Sequence, residues 1–114
     1  MTVRLSHVLL KVADLERMAR FFAEVVGLTL RERSETRNGA PLVLFEGGIG
    51  LTPLGPGEVR RGIDHLAFGV ADIADAEARV RSAGLVLVRR AHTERYGTSI
   101  YILDPEGVMI EMHG

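Results

Sequence analysis

Residues 99–112, SIYILDPEGVMIEM, are the stretch of sequence that decides the fold. Two short apolar runs flank DPEG at 104–107, a combination typical of a tight turn because Asp bonds nearby backbone, Pro presets φ and Gly tolerates positive φ. Besides Ser99 at its start, the first run carries Tyr101, and the second run carries Glu111. A carboxylate in an apolar strand needs a cation or several hydrogen bonds to offset its desolvation. The stretch therefore predicts two strands and indicates a partner for Glu111.

The chain repeats one pattern twice, which is the signature of a duplicated structural unit. His7 in the first half corresponds to His65 in the second, and VADL at 12–15 corresponds to VADI at 70–73. A strand pattern surrounds each of these histidines, and a helical pattern follows each VAD segment. Each half is therefore expected to follow the order β-α-β-β-β.

The predicted helix of each half begins at an aspartate and ends at a glycine. Asp14 and Asp72 are suited to the N-cap, and Gly27 and Gly84 to a left-handed C-terminal stop. Apolar residues recur at helical spacing over 15–26 in the first half. The second helix is one residue shorter.

Eight strands complete the predicted elements. They cover residues 5–12, 28–35, 41–45 and 49–54 in the first half, and 63–70, 85–89, 98–103 and 108–112 in the second. Asn38-Gly39 predicts a hairpin turn. The predicted fold class is α+β: two tandem βαβββ modules, at about residues 4–55 and 62–113, form a curved mixed β-sheet cup. Residues 1–114 would be a single domain, with a linker at 55–62.

Composition excludes several classes of function. The chain has 114 residues, a formal net charge of −1 and no cysteine, so neither disulfides nor thiolate metal sites are expected. The small net charge gives no indication of a nucleic-acid partner. No apolar run is long enough to span a membrane, and the first residues do not resemble a signal peptide. A cytoplasmic protein is expected.

Strand alternation brings three candidate metal ligands to the less apolar faces of their strands. These ligands are His7, His65 and Glu111. Two imidazoles and one carboxylate suit a divalent metal such as Fe(II), Mn, Zn, Co or Ni, and leave coordination positions open. The alternative is structural: the histidines are hydrogen-bonded copies of one ancestral residue, and Glu111 faces water at a sheet edge.

Five further residues are candidates near this set. Tyr101 is either a hydrogen-bond donor to a bound substrate or a half-buried strand residue. His92 is either a proton carrier or a surface residue. Arg89 and Arg90 either meet an anionic substrate or end a solvated strand. His113 is expected to be frayed.

The chain resembles the vicinal oxygen chelate superfamily, which includes glyoxalase I, extradiol dioxygenases, fosfomycin-resistance proteins and bleomycin-resistance proteins. The segments that carry the resemblance are SHVLLKVADLERMARFF at 6–22, DHLAFGVADI at 64–73 and YILDPEGVMIE at 101–111. The resemblance implies the cup fold around a metal bound by His7, His65 and Glu111. It also implies a small-molecule substrate that chelates the metal through vicinal oxygens, and a homodimer.

Departures from the family pattern narrow the activity. Glyoxalase I carries a fourth ligand, a Glu, where this chain has about Gly50, and bleomycin-binding members lack the metal ligands. The preferred subclass is an extradiol-type dioxygenase with Fe(II), in which Tyr101 bonds a substrate oxygen and His92 is the candidate proton carrier. Those dioxygenases also have an acid–base His in the fourth strand, and this chain has none near Gly50. The alternatives are a lyase or isomerase, a fosfomycin-type transferase, or a non-catalytic protein that binds an antibiotic or metabolite.

Overall fold

A computed structural model describes residues 7–36, 39–59, 63, 65–94 and 97–114. Three predictions fall partly outside these residues: the start of the first strand at 5–6, Asn38 of the hairpin turn, and residues 60–62 of the linker. Position 64 of the fifth predicted strand also lies outside them.

The first module contains one helical stretch and a four-stranded mixed sheet. Its elements are β1 (Val8–Val12), α1 (Leu15–Arg20) continuing into a π-helical segment (Phe21–Val26), β2 (Leu30–Glu35), β3 (Pro41–Phe45) and β4 (Ile49–Pro53). The strand order is β1-β4-β3-β2. β1 lies parallel to β4, whereas the neighbours β4–β3 and β3–β2 are antiparallel.

The second module repeats this topology. Its elements are β5 (His65–Gly69), α2 (Ile73–Ser82), β6 (Leu87–Thr93), β7 (Gly97–Leu103) and β8 (Met109–His113), with the strand order β5-β8-β7-β6. The predicted tandem βαβββ fold is confirmed. The predicted fraying of His113 is wrong, because its carbonyl accepts a hydrogen bond from the backbone N–H of Val70 at 2.8 Å.

Both helices begin and end where the capping residues predict. The Asp14 side chain accepts a hydrogen bond from the backbone N–H of Arg17, and Asp72 caps α2 in the same way. Gly27 adopts a left-handed conformation with φ 92°, and its N–H bonds to the carbonyl of Phe22 five residues earlier. This wider hydrogen bond accommodates the extra residue of the first helix.

One hydrophobic core joins the two modules through their helices. The Phe22 ring lies 6.1 Å from that of Phe45 in its own module and 6.0 Å from that of Phe68 in the other. The strand faces predicted to pack on the helices contribute buried Leu10 and Val12. Four further residues of those faces pack partly buried against the core: Val8, Leu66, Phe68 and Val70.

Two side chains also link the modules by hydrogen bonds to backbone. The Nε of Arg79 on α2 donates to the carbonyl oxygen of Val25 at 3.1 Å, at the end of the first helical stretch. The Glu106 carboxylate, in the turn before β8, accepts from the N–H groups of Ala13 and Asp14, each at 2.7 Å. Both contacts meet helix ends that leave backbone groups without intrahelical partners.

Each sheet has a second face, turned away from the helices, which we call its open face. On the open face of the first module, Leu9, Gly50 and Leu44 are neighbours across β1, β4 and β3. On that of the second, the residues opposite one another across β5, β8, β7 and β6 are Ala67, Glu111, Tyr101 and Arg89.

Candidate metal centre

Glu111 is the centre of a polar group on the open face of the second module. Its Oε1 lies 3.4 Å from Nε2 of His65, at the start of β5, and its Oε2 accepts a hydrogen bond from the Ser99 hydroxyl at 3.0 Å. The Glu111 side chain is 16% exposed and that of His65 is 38% exposed. The carboxylate is therefore largely withdrawn from water, while the imidazole remains open to a ligand.

The contact between His65 and Glu111 fits a shared metal ion. Metal–nitrogen and metal–oxygen bonds of about 2.1 Å at a tetrahedral angle separate two donor atoms by about 3.4 Å, as found here. Ser99 fits the further pattern in which a ligating carboxylate is held by a hydrogen bond on its other oxygen. Without a cation, the same contact is an ion pair when His65 is protonated.

His7 is not part of this group within one chain. It immediately precedes β1, and strand alternation places it with Leu9 on the open face of the first module, where it is exposed. No three His, Cys, Asp or Glu side chains among the described residues lie close enough together to hold a metal. The structure thus brings His65 and Glu111 together and leaves His7 apart.

The first module has no carboxylate at the position that corresponds to Glu111. Gly50 occupies it, opposite Leu9 on β1, just as Glu111 is opposite Ala67 on β5. A Cβ at Gly50 would lie 3.0 Å from Cδ2 of Leu44 and 3.2 Å from Cδ1 of Leu9. Leucine side chains therefore occupy the space that a side chain at position 50 would need.

Tyr101 lies beside Glu111. The two residues face each other across β7 and β8, and the Arg89 guanidinium lies over the Tyr101 ring with 4.4 Å from Cζ to the ring centroid. Tyr101 is half-buried.

The predicted proton carrier, His92, lies elsewhere. It is opposite Thr98 in the register of β6 and β7, and its Nδ1 is 3.1 Å from the Thr98 hydroxyl. Because alternate residues of a strand face opposite sides, this is the face opposite that of Tyr101 and Arg89. Within one chain the structure does not bring His92 to Glu111.

Ser99 is the residue of this group that sequence reasoning missed. It is 6% exposed and bonds the carboxylate directly. Strand alternation places Ser99 on the same face as Tyr101. A serine in a strand does not by itself indicate a functional site, so the sequence did not mark it as a candidate.

Comparison with known proteins identifies the family. Residues 4–112 match the Glyoxalase/Bleomycin resistance protein/Dioxygenase superfamily, and the chain belongs to it. It is 33% identical to glutathione transferase FosA of Serratia marcescens, over 96% of this chain and 79% of that protein. It is 31% identical to a probable lactoylglutathione lyase of Vibrio parahaemolyticus, over 96% of this chain and 88% of that protein.

Solved structures show the same fold. A glyoxylase/bleomycin resistance protein/dioxygenase domain from Frankia sp. EAN1pec superposes with a TM-score of 0.76 at 24% identity, covering 99% of this chain and 98% of that one. The E126Q mutant of FosX from Listeria monocytogenes, solved with Mn(II), superposes with a TM-score of 0.72 at 23% identity, over 99% and 93% of the two chains.

Among the described residues, no helix is long and apolar enough to cross a membrane.

Proposed function

We propose that the protein is a divalent-metal-dependent enzyme whose small substrate binds the metal through two vicinal oxygens. His65 and Glu111 would hold the metal. The observation that carries the proposal is the 3.4 Å distance between His65 Nε2 and Glu111 Oε1, while Ser99 bonds the other carboxylate oxygen. When bound, the metal would supply Lewis-acid stabilisation of negative charge on the substrate oxygens. Its identity is open among Fe(II), Mn, Zn, Co and Ni.

The third ligand, in this proposal, is His7 of the partner subunit in a homodimer. His7 and His65 occupy equivalent positions in the two modules, on open faces that leave both side chains exposed. A two-fold axis that sets the first module of one chain against the second module of its partner brings the two histidines together, twice per dimer. Each cup is then built from two chains.

Other residues of the chain would position the carboxylate, bind the substrate and exclude water. Ser99 would hold Glu111 in one orientation by its hydrogen bond, and the Tyr101 hydroxyl would donate to a substrate oxygen beside Glu111. The leucines around Gly50 give the first module an apolar open face. Placed opposite, that face would exclude water from the substrate.

Two reaction classes remain for this site. Similarity to a glutathione transferase and to a probable lactoylglutathione lyase favours transferase or lyase chemistry that needs no O₂. Closure of the Gly50 position by leucines argues against the lyase reaction itself if a fourth ligand is required. The extradiol dioxygenase remains a prediction: neither of those two relatives is named as one, and His92 lies on the other face of the sheet.

Metal titration tests the proposal. Protein dialysed against chelator is titrated with Mn(II), Fe(II), Ni(II) and Zn(II), alongside Glu111→Gln and Glu46→Gln. Glu46 is an exposed glutamate in the turn between β3 and β4. We expect Glu111→Gln to weaken binding more than about 100-fold, since even residues that only orient a ligand cost about 10–100-fold. Equal affinities for both variants, or a wild type that binds none of the metals, would refute the site.

A substrate screen separates the reaction classes. Catechols with Fe(II) in air should give coloured ring-opened products if the enzyme is an extradiol dioxygenase. Turnover with other metals under nitrogen would assign a lyase, isomerase or transferase. Tight binding of an antibiotic without turnover would assign a binding protein.

A further inference from the structure

We propose that Arg89 is the anion-recognition residue of this site, holding a carboxylate group on the substrate whose vicinal oxygens are chelated beside Glu111. This inference rests on the proposed function and adds the class of substrate: a small organic oxyanion. It concerns a residue that lies two strands away from Glu111, on β6.

The position of Arg89 suits the far end of a chelated substrate. Glu111, Tyr101 and Arg89 are successive neighbours across β8, β7 and β6 on one open face. Adjacent strands are about 4.8 Å apart, so the backbones at Glu111 and Arg89 are separated by about 10 Å. A small molecule bound at Glu111 can therefore cross Tyr101 and reach the guanidinium.

Contact with Tyr101 orients the guanidinium without using its donors. Cζ of Arg89 lies 4.4 Å from the ring centroid, within the range of a cation–π contact. The N–H groups of Arg lie in the plane of the guanidinium and point outward from its edges. Contact with the ring thus leaves these donors available for the two oxygens of an oxyanion.

The charge of Arg89 has no carboxylate partner within the described part of the chain. Its neighbour Arg90 lies on the opposite face of β6 and forms an ion pair with Glu77 on α2. Glu111, two strands from Arg89 on its own face, already engages His65 and Ser99 with its two oxygens. A substrate oxyanion would supply the missing negative charge, and charge-assisted bidentate pairs are among the strong hydrogen bonds.

The test compares two chelating probes that differ by one carboxylate. Dissociation constants of catechol and 3,4-dihydroxybenzoate are measured by calorimetry under nitrogen, for Zn(II)-loaded and for metal-free protein. Wild type should prefer 3,4-dihydroxybenzoate by about tenfold or more, the range of a hydrogen bond to a charged group. Arg89→Gln should lose that preference while keeping its affinity for Zn(II) and catechol, and Arg89→Lys should restore part of it.

Arg90→Gln is the matched control, since it removes the same charge from the other face of the same strand. It should keep the wild-type preference for 3,4-dihydroxybenzoate. An unchanged preference in Arg89→Gln, an equal loss in Arg90→Gln, or no preference in wild type would overturn the proposal. Sedimentation must also show the same oligomer for both variants. A dimer weakened by Arg89→Gln alone would mean that a partner carboxylate, not a substrate, is the anion.

Failure of the metal site gives a different pattern. If wild-type protein binds no Zn(II), the proposed function fails, and the metal-free titrations alone decide the role of Arg89. Under those conditions a preference for 3,4-dihydroxybenzoate that depends on Arg89 and not on Arg90 still supports anion recognition. Its absence refutes it.

Discussion

Gly50 and Glu111 occupy the same position in the two modules. Each lies on the strand that comes last in the sequence of its module. Gly50 is opposite Leu9, two residues after His7, and Glu111 is opposite Ala67, two residues after His65. The duplicated scaffold thus offers two equivalent positions and carries a carboxylate at one of them. At the other, leucine side chains stand where a carboxylate would have to lie.

Gly50→Ala should destabilise the protein. The added methyl would meet Leu44 and Leu9 at 3.0 and 3.2 Å, so the leucines must shift, at a cost of about 1–3 kcal/mol in the free energy of unfolding. Urea denaturation measures this cost. Gly69→Ala is the control, because its new Cβ meets His113 at an ordinary 3.6 Å. Equal stability for both variants would show that the leucines yield freely.

Ser99→Ala should weaken metal binding without removing a ligand. The hydroxyl that orients the Glu111 carboxylate is lost, and such orienting contacts are worth about 10–100-fold in metal affinity. Titration of the variant with Mn(II) gives the value. Thr98→Ala removes a hydroxyl from the other face of β7, next to His92, and should bind metal like wild type. A Ser99→Ala variant with wild-type affinity would show that Glu111 needs no such support.

Mixing two defective variants tests whether the metal site is shared between chains. His7→Ala and His65→Ala should each bind no metal at the site. After unfolding and refolding together in equal amounts, half of the dimers would be mixed, and each mixed dimer would contain one intact site. Recovery of about a quarter of the wild-type sites is expected from this symmetry. No recovery on mixing would place all ligands within a single chain.

Glu106→Gln should loosen the junction between the modules. The carboxylate accepts two short hydrogen bonds from backbone N–H groups of Ala13 and Asp14, and an amide has only one oxygen to offer. A loss of about 1–3 kcal/mol in stability follows from hydrogen bonds to a charged group. Thermal unfolding of this variant and of Glu46→Gln makes the comparison. If the two melt alike, the junction does not depend on this contact.

The ion pair of Glu16 with Arg33 should make stability depend on pH. Its hydrogen bond to Arg33 holds the pKa of the Glu16 carboxyl below its ordinary value. A lowered folded-state pKa contributes stability above the unfolded value, about 4.3, and this contribution is lost as the pH falls through the folded-state pKa. The stability difference between wild type and Glu16→Gln should therefore shrink on acidification below about pH 4.3. A difference that grows in acid would contradict the assignment.

Sequence pattern was sufficient for the modules but not for the whole site. Alternation and capping residues act locally, so they predicted the strand of Glu111 and the helix that begins after Asp14. The predicted strand ended at residue 89, whereas β6 continues to Thr93, and alternation along it places His92 on the face opposite that of Arg89. Alternation also placed His7 on an open face. It carries no information about which sheet lies across from that face, because this depends on how modules and chains pack.

The π-helical segment Phe21–Val26 also shows how the two halves have diverged. The first helix has one more residue than its counterpart, and the wider hydrogen bonding before Gly27 absorbs it. A π-helical turn closes its hydrogen bonds over five residues instead of four, so it holds one residue more than an α-helical turn. A duplicated protein can in this way accept a change in length within one copy while the strands on either side keep their places. Both sheets thus keep the same strand order, even though one of the two helical stretches contains an extra residue.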